Sequence, residues 1–445
     1  MAKKRTTKRS SSKAAIAKQF DNEDSVVVPG KSPIMLADTV MAAVTSKVAK
    51  RAGRDGIHVG TRHLFCALPV PALSLRYLIQ NEGLPLGFIY LVVGAPASFK
   101  STFSIEIARW HRQCGGVNLL CEAETKPTPD LRNAILNWDR QAIVVESCET
   151  MEDWQYRSYR YLQYVKEKCA DEAVGKTIPM SFIVDSIAGK VSQETSTKIE
   201  QRGYVGRHWS NEARIISEFL ADFTSKLLCW PFTFIGVNHL KLGTDPDTGL
   251  PVRSQKGGYA PKFHAAMEIE LGKIGRGKEL KDCTLFQLTF QTYKNSHGAE
   301  RKRISVYLRL WYQEDLPKQF RLHGRFEWWD ASIRLLHEGW GLPKTQAARL
   351  VDIVSPIVRV EQMSDKKRYW CTALDVPKSD AMTAHDLGML LETRPDILTD
   401  LYGAMTINRR PLYQTGIDFD EQLKGVEETV ISDEETFAEK TSAEE

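Results

Sequence analysis

The sequence predicts an α/β protein built on a mostly parallel β-sheet, and two observations support this fold class. Short runs of almost continuously apolar residues alternate with longer segments of amphipathic helical pattern through the middle of the chain. Strands that are apolar along their whole length are typical of a parallel sheet that helices cover on both faces. Three later apolar runs follow one another with only short turns between them, which predicts an antiparallel extension of the sheet.

The predicted elements follow from these patterns in chain order. The parallel strands are expected at residues 88–93, 117–121, 142–146, 181–185 and 232–238. The helices of this region are expected at residues 101–113, 129–138, 151–170 and 209–228. The strands of the antiparallel extension are expected at residues 265–273, 283–293 and 303–312.

The chain of 445 residues is long enough for one large domain with smaller appendages. Helical spacing at residues 33–51 and at 330–415 predicts helical parts on either side of the α/β core. We therefore predict five parts: a disordered basic arm (1–32), an N-terminal helical segment (33–59), the core (60–325), a mainly helical C-terminal lobe (326–417) and a disordered acidic tail (418–445).

Charge is unevenly distributed although the net charge is only +4. Residues 1–20 carry seven basic groups and no acid, and residues 418–445 carry eleven acids and two lysines, which leaves the middle of the chain at +6. One interpretation is two solvated, disordered tails. The alternative is that the basic arm contacts polyanions and the acidic tail competes with them.

The composition is that of an ordinary globular protein, with 42% hydrophobic and 26% charged residues. An apolar run of membrane-spanning length and the apolar core of a signal peptide are both absent from the sequence, so we expect a cytoplasmic protein with no membrane partner. Eight cysteines show neither CxxC nor a Cys/His metal spacing. We therefore expect reduced, mostly buried thiols and no structural zinc.

The stretch LVVGAPASFKSTFSIEIA, residues 91–108, has the pattern of a strand, a phosphate loop and a helix. In such a loop the backbone N–H groups surround a β-phosphate, a lysine reaches the β- and γ-phosphates, and a serine hydroxyl holds Mg²⁺. Phe99 stands where a glycine is usual, and we expect it to leave the cradle open by holding a negative φ. The alternative is an ordinary strand–helix turn. The candidate nucleotide-binding residues are Gly94, Ala95, Pro96, Ala97, Ser98, Phe99, Lys100, Ser101 and Thr102, with Ser101 also a metal ligand.

Polar residues follow three other predicted strands. Asp185 ends an apolar strand and is a candidate partner of Mg²⁺ and its water shell. Glu122 and Glu124 follow another strand, and one of them could activate water as a general base, but on these residues alone the pattern favours a solvated acidic loop. Asn238 and His239 end a third strand, as a pair satisfied by local hydrogen bonds or as a sensor of the γ-phosphate.

The order of these motifs resembles that of the RecA family of recombinases over residues 60–325. The run SLRYLIQNEGLPLGFIYLVVG, residues 74–94, resembles the entry to the RecA phosphate loop. The four residues Ser98-Phe99-Lys100-Ser101 are similar to the Ser-Phe-Lys-Ser loop of the phage-type, UvsX-like branch. The resemblance therefore implies that Phe99 is a feature of that branch, within a RecA-like core that binds ATP and Mg²⁺.

The resemblance also implies roles for particular residues. Glu124 corresponds to the catalytic glutamate that polarises water, alongside Lys100 of the loop. Asn238 and His239 take the place of an Asn-Gln pair that senses the γ-phosphate, and the histidine departs from the family pattern. Lys294 resembles a lysine that reaches across a subunit interface to a neighbour's ATP. Its partner is Arg301 or Lys302, and the sequence leaves this choice open.

Two further segments, residues 188–208 and 240–265, resemble the two DNA-binding loops of the family. The part at 240–258 is rich in Gly, Pro, Asp and Thr, and we expect a long unstructured connection. Basic side chains would contact phosphates, and adjacent glycines would bring backbone amides close to them. The candidate DNA-binding residues are Lys190, Lys198, Arg202, Arg207, Lys241, Arg253, Lys256, Gly257 and Gly258. Trp328, Trp329 and Trp340 could also stack on bases, but their helical spacing after the core favours packing.

These expectations describe an ATP-dependent DNA recombinase that polymerises on single-stranded DNA, pairs it with homologous duplex and exchanges strands. The implied partners are single- and double-stranded DNA, further copies of the chain in a helical filament, and single-strand-binding and loader proteins. Two alternatives stay open: a RecA-fold hexameric helicase or other DNA-dependent ATPase motor, and a DNA-binding paralogue without turnover.

Overall fold

The structure is a computed structural model that describes residues 67–123, 143–168, 179–187, 189–202, 209–227, 232–244, 251–255, 257–312, 321–363 and 367–409. Several predictions fall outside these ranges: the basic arm, the N-terminal helical segment, the helix at 129–138 and the acidic tail. Glu124, Arg207 and Lys256 also lie outside the described residues.

The strands of the described residues form one large sheet and two small pairs. In chain order they are β1 (Ala67–Pro69), β2 (Gly83–Pro85), β3 (Ile89–Gly94), β4 (Val117–Glu122), β5 (Ile143–Ser147), β6 (Met180–Asp185), β7 (Phe232–Thr244), β8 (Pro251–Gln255), β9 (Met267–Glu279), β10 (Cys283–Asn295), β11 (Arg303–Tyr312), β12 (Arg321–Phe326), β13 (Glu361–Gln362) and β14 (Tyr369–Trp370). The large sheet has the order β12-β11-β10-β9-β3-β7-β6-β4-β5, with β8 paired to β7.

The large sheet combines a parallel half and an antiparallel half. Strands β9, β3, β7, β6, β4 and β5 run parallel to one another. Strands β9 to β12 pair antiparallel with their neighbours in chain order. The prediction of a mostly parallel sheet with an antiparallel extension is therefore confirmed, because near-continuous apolar strands and short turns encode the two halves directly.

The helices of the described residues cover both faces of the sheet. They are α1 (Leu73–Ile79), α2 (Lys100–Gln113), α3 (Met151–Lys168), α4 (Gln193–Arg202), α5 (Trp209–Leu227), α6 (Ala260–His264), α7 (Trp328–Glu338), α8 (Lys344–Val354), α9 (Ala384–Glu392) and α10 (Pro395–Ala404), with 3₁₀ turns at Thr372–Leu374 and Lys378–Asp380. None of the helices in the described part of the chain combines the length and the apolarity that a bilayer crossing needs.

Two hydrophobic clusters lie on the two faces of the sheet. On one face, Trp154 of α3 and Phe223 of α5 pack on Phe234 of β7. On the other face, Phe103 of α2 packs near Trp328 of α7, which is 1% exposed. This second cluster continues into α8, α9 and α10, so the C-terminal helices share one core with the sheet. Trp329 and Trp340 also pack on that cluster. The prediction that Trp328, Trp329 and Trp340 serve in packing is therefore confirmed.

The C-terminal helices are tied to the start of the core through a largely buried carboxylate whose side chain is 15% exposed. Glu392, at the end of α9, accepts a hydrogen bond from the backbone N–H of Leu73 at 2.8 Å and pairs with Arg76 at 2.6 Å. Arg76 also donates to the hydroxyl of Tyr402 in α10. Leu73 opens α1, so Glu392 satisfies an N–H group that a helix start leaves without an intrahelical partner.

The structure corrects the expected form of both loops. Residues 240–244 and 251–255 are not an unstructured connection, because β7 runs on past Asn238 and pairs with β8 as an antiparallel hairpin. The segment 188–208 contains helix α4, whose N-terminus is capped by the hydroxyl of Ser192 accepting from the backbone N–H of Thr195 at 3.2 Å. A serine cap and an i,i+4 pair between Glu194 and Lys198 are sufficient local signals for this helix.

The expectation of reduced cysteines is wrong for one pair. Cys121, near the end of β4, and Cys148, just after β5, form a disulfide with their Cα atoms 6.5 Å apart. Parallel neighbouring strands bring these two positions within the span that a disulfide requires. Among the described residues, Cys114, Cys283 and Cys371 are buried free thiols.

Candidate functional site

The candidate site lies at the carboxyl edge of the parallel strands, where Gly94 comes level with polar residues of three other strands. In the register of β3 and β7, Gly94 is the partner of His239 and Val93 is the partner of Asn238. Asp185, at the end of β6, is the partner of Val237 on β7 and of Glu122 on β4. The backbone N–H of Ala123 donates to the carbonyl of Asp185 at 2.8 Å. Sheet register therefore brings together the residues that the sequence predicted at separate strand ends.

The loop between β3 and α2 forms a compact turn around the Lys100 ammonium. Lys100 is 5% exposed, and its Nζ atom donates to the carbonyl of Ala95 at 2.7 Å. Ala97 and Phe99 both adopt a left-handed backbone conformation, with φ of 60° and 64°. The chain then enters α2 directly at Lys100, so the helix N-terminus and the ammonium face the same loop.

The expected negative φ at Phe99 is wrong. Phe99 takes φ 64° and ψ 28°, the conformation that a glycine adopts at low cost. Its ring packs against Phe286 of β10 with ring centroids 4.9 Å apart, and the Lys273 ammonium lies 4.7 Å from the Phe286 centroid. A left-handed residue costs about 1–2 kcal/mol, and an aromatic pair contributes about 0.5–1.5 kcal/mol. Contact with β10 therefore offsets most of the backbone strain.

Two features of the loop fit a bound triphosphate. The Ser98 hydroxyl is buried and has no hydrogen-bond partner among the described residues, so a phosphate oxygen would satisfy it. A Cβ atom at Gly94 would collide with the Leu271 carbonyl and lie 2.6 Å from Ser98 Oγ, so only glycine leaves room there. With the Lys100 ammonium and the α2 N-terminus, this set of donors suits an anion.

Helix α2 is held in place by buried polar contacts as well as by packing. Glu106 is 1% exposed and accepts hydrogen bonds from the indole N–H groups of Trp110 at 3.3 Å and Trp328 at 3.2 Å. Farther along the helix, His111 Nδ1 donates to the Ile107 carbonyl at 2.9 Å. The Trp328 bond ties the helix that carries Lys100 and Ser101 to α7, and the other two bonds lie within α2.

The acidic and sensor residues are described to different extents. Glu122 is half-buried at the end of β4, whereas its neighbour Glu124 lies outside the described residues. Asn238 is fully buried, and its amide oxygen accepts from the backbone N–H of His239 at 2.9 Å. That bond orients the Asn238 amide so that its NH₂ group points to Gln255 at 3.4 Å.

Sequence reasoning missed two residues beside the sensor, Gln255 and Glu268. Gln255 ends β8 and donates from Nε2 to Glu268 Oε2 at 2.9 Å. Glu268 lies on β9 and is 4% exposed. The sequence did contain a signal for this contact: Glu268 lies inside the apolar run AAMEIEL, and a carboxylate in a buried strand requires a partner.

For some of the candidate DNA-binding residues the structure describes the side chain, and for the others it describes only the position of the backbone. Lys190 precedes α4, and Lys198 on that helix pairs with Glu194. Gly257 and Gly258 have φ of 89° and 65°, which only glycine adopts freely. The backbone places Arg202 at the end of α4, Lys241 opposite Ser254, and Arg253 opposite Leu242 in the hairpin.

Lys294 lies on β10 beside α6, in a surface hollow of about 650 Å³ that also includes Tyr259, Phe263, Glu300 and Arg301. Its Nζ atom donates to the carbonyls of Lys262 at 2.9 Å and Phe263 at 2.6 Å. Burial lowers the pKa of the Lys294 ammonium, and the negative charges of Glu300 and Glu268 oppose this. Tyr259 and Phe263 are 90% and 75% exposed, so large aromatic side chains border the hollow.

Fold and site together define an α/β protein with a mostly parallel sheet and a glycine-started, lysine-containing loop at its carboxyl edge, which is compatible with a RecA-like core. Comparison with curated proteins finds bacterial proteins named RecA. The chain is 26% identical over 249 residues to Protein RecA of Paenarthrobacter aurescens, covering 55% of this chain and 66% of that protein. It is 26% identical over 216 residues to Protein RecA of Pseudarthrobacter chlorophenolicus, covering 48% and 56%. It is 25% identical over 262 residues to Protein RecA of Nocardia farcinica, covering 58% and 70%.

These similarities support membership of the RecA family at low identity. The chain spans 66% or less of the length of the first two relatives. A search against models of protein families finds no match.

Proposed function

We propose that the protein is an ATP-dependent DNA recombinase that polymerises on single-stranded DNA and promotes homologous pairing and strand exchange. The observation that carries this proposal is the continuity of β7, which runs from Asn238 at the candidate nucleotide site straight into the hairpin at 240–255. A strand that begins in the core and continues into a hairpin that carries Lys241 and Arg253 can couple a nucleotide to a nucleic acid. The similarity to bacterial proteins named RecA also supports this proposal.

In this proposal, ATP and Mg²⁺ are held by the loop at 94–102 and by Asp185. The bound triphosphate supplies a terminal phosphoryl group that water can attack. Lys100 Nζ would exchange the Ala95 carbonyl for phosphate oxygens, and Ser98 Oγ would gain its missing partner. Glu124 would orient the attacking water. Asn238 and His239 would contact the γ-phosphate, so their position would depend on whether it is present.

The nucleic-acid interface in this proposal is formed by the helix α4 region and the hairpin. Lys190, Lys198 and Arg202 from the first segment would contact phosphates, as would Lys241 and Arg253 from the hairpin. Lys294 would complete the ATP site of a neighbouring copy in an open helical filament, because a head-to-tail contact that does not close gives a polymer. The UvsX-like branch, a phage host cytoplasm, and single-strand-binding and loader partners belong to the same proposal.

The test is an assay of strand exchange between a single-stranded circle and homologous duplex, with and without ATP. Wild-type protein is expected to form joint molecules only with ATP, and Lys100→Ala is expected to abolish both joint molecules and DNA-stimulated ATPase. Lys344→Ala, at an exposed lysine of α8, is the matched control and should behave as wild type. Closed rings instead of filaments on single-stranded DNA, seen by electron microscopy, would favour a hexameric helicase.

A further inference from the structure

Glu268 is a buried carboxylate in the middle of the large sheet. It is 4% exposed on β9, with Leu91 of β3 as its neighbour on one side and Lys294 of β10 on the other. Burying a carboxylate is costly unless hydrogen bonds and opposite charges surround it. Glu268 receives both, from the Gln255 amide at 2.9 Å and from the charge of the neighbouring Lys294.

Gln255 links this carboxylate to the candidate sensor. It is the last residue of the hairpin strand β8, directly opposite Leu240 of β7. Its Oε1 atom accepts from Asn238 Nδ2 at 3.4 Å, and its Nε2 atom donates to Glu268. The bond to Asn238 is at the long end of the hydrogen-bond range, so a modest movement of the Asn238 amide would break it.

The three side chains therefore join three parts of the proposed mechanism. Asn238 belongs to the edge that faces the phosphate loop, Gln255 closes the hairpin, and Glu268 borders the lysine of the proposed subunit interface. We propose that Gln255 and Glu268 are positioning residues that transmit the nucleotide-dependent position of Asn238 to the hairpin and to Lys294. This inference rests on the proposed function and names the contact through which that site would be regulated.

The direction of the effect follows from the hydrogen bonds. A γ-phosphate that draws the Asn238 amide toward the loop would remove the donor from Gln255 Oε1. Of these two side-chain bonds, Gln255 would then keep the one to Glu268, while its backbone stays paired with Leu240 of β7. Without Gln255, the side-chain route from Asn238 to the hairpin and Glu268 would be lost and only the backbone of β7 would remain, so DNA affinity would depend less strongly on the nucleotide.

The experiment measures the Kd for a fluorescent oligo-dT twice, once with ADP and once with a non-hydrolysable ATP analogue. The ratio of the Kd with ADP to the Kd with the analogue reports how strongly the nucleotide controls DNA affinity. Gln255→Ala is expected to lower this ratio at least about fivefold relative to wild type, the lower end of common coupling strengths. Gln287→Ala, a half-buried glutamine on β10, is the matched control and should keep the wild-type ratio. Thermal unfolding of each variant checks that the fold is retained.

An exchange of the two side chains separates coupling from a merely structural role. Gln255→Glu alone sets two carboxylates against each other and should lower the ratio as strongly as Gln255→Ala. Adding Glu268→Gln restores a donor and an acceptor in reversed order, and should recover most of the ratio. Failure of this rescue would overturn the inference.

The outcomes distinguish the inference from the function on which it rests. A wild-type protein with the same Kd under both nucleotides would overturn the proposed function and the inference together. A wild-type protein with a clear ratio that Gln255→Ala preserves would overturn the inference alone, and the proposed function would stand.

Discussion

His111 Nε2, near the end of the helix that carries Lys100, lies 3.1 Å from the Thr233 hydroxyl at the start of the strand that carries Asn238. Because His111 Nδ1 donates to the Ile107 carbonyl, Nε2 must accept, and the Thr233 hydroxyl donates to it. A neutral imidazole thus joins the two elements that hold the candidate nucleotide site from its two sides.

This contact predicts that stability falls in mild acid. Burial lowers the pKa of His111 to about 4, with the Ile107 carbonyl acting in the opposite direction. An unfolded histidine has a pKa of about 6.5, so below that pH the unfolded chain binds more protons than the folded one. The free energy of unfolding should therefore decrease between about pH 6.5 and pH 4, by up to about 3 kcal/mol.

The measurement is urea unfolding at several pH values for wild type and His111→Gln, whose amide can serve both partners without titrating. The variant should lose less stability than wild type as the pH falls through this window. Parallel curves for the two proteins would show that another group causes the acid sensitivity.

The left-handed backbone at Phe99 predicts that glycine at this position preserves ATP affinity better than isoleucine does. Phe99→Gly should keep the ATP affinity, because glycine adopts φ 64° freely, and should change stability little, because relief of about 1–2 kcal/mol of backbone strain offsets the lost Phe286 contact. Phe99→Ile should lower ATP affinity about tenfold, because a β-branched residue is strongly disfavoured at positive φ. Binding of a fluorescent ATP analogue measures the affinity, and thermal unfolding measures the stability.

A control at the partner ring separates the two effects. Phe286→Ala removes the ring contact but keeps the backbone strain and leaves a cavity at a buried site, so it should lose more stability than Phe99→Gly. Equal ATP affinities for Phe99→Gly and Phe99→Ile would contradict a left-handed conformation at this position.

The strand ends were predictable because they depend on local patterns. Asp185 and Asn238 each end an apolar run, and parallel register then brings them to one edge. The φ of Phe99 was not predictable, since it is stabilised by Phe286 in a distant strand. The Gln255–Glu268 contact was missed for a related reason: it exists only because β7 continues into a hairpin, whereas the Gly- and Pro-rich composition of the segment indicated an unstructured loop.

Glu392 is predicted to be a main attachment of the C-terminal helices to the core. Glu392→Ala would leave the Arg76 guanidinium buried without its ion-pair partner and the Leu73 N–H without its acceptor. Removing one member of a buried pair costs about 3–5 kcal/mol. The exposed Arg214 pairs with Glu218 on the surface of α5, and Arg214→Ala should change stability little, which makes it the control in denaturant unfolding. Similar midpoints for the two variants would show that Glu392 has no such role.

The position of Lys294 predicts that activity can be restored by mixing two inactive proteins. If Lys294 serves a neighbour's ATP, Lys294→Ala should reduce DNA-stimulated ATPase on the order of 10²-fold, as the loss of one preorganised donor does elsewhere. Lys278→Ala, an exposed lysine on β9, should have no such effect.

In a mixed filament of Lys100→Ala and Lys294→Ala subunits, some interfaces combine an intact loop with an intact Lys294. Random assembly of equal amounts should make about a quarter of the interfaces active, because each interface needs one particular order of the two subunits. A mixture that remains as inactive as its components would show that both lysines act within one subunit, which would remove the basis for coupling ATP binding to filament assembly.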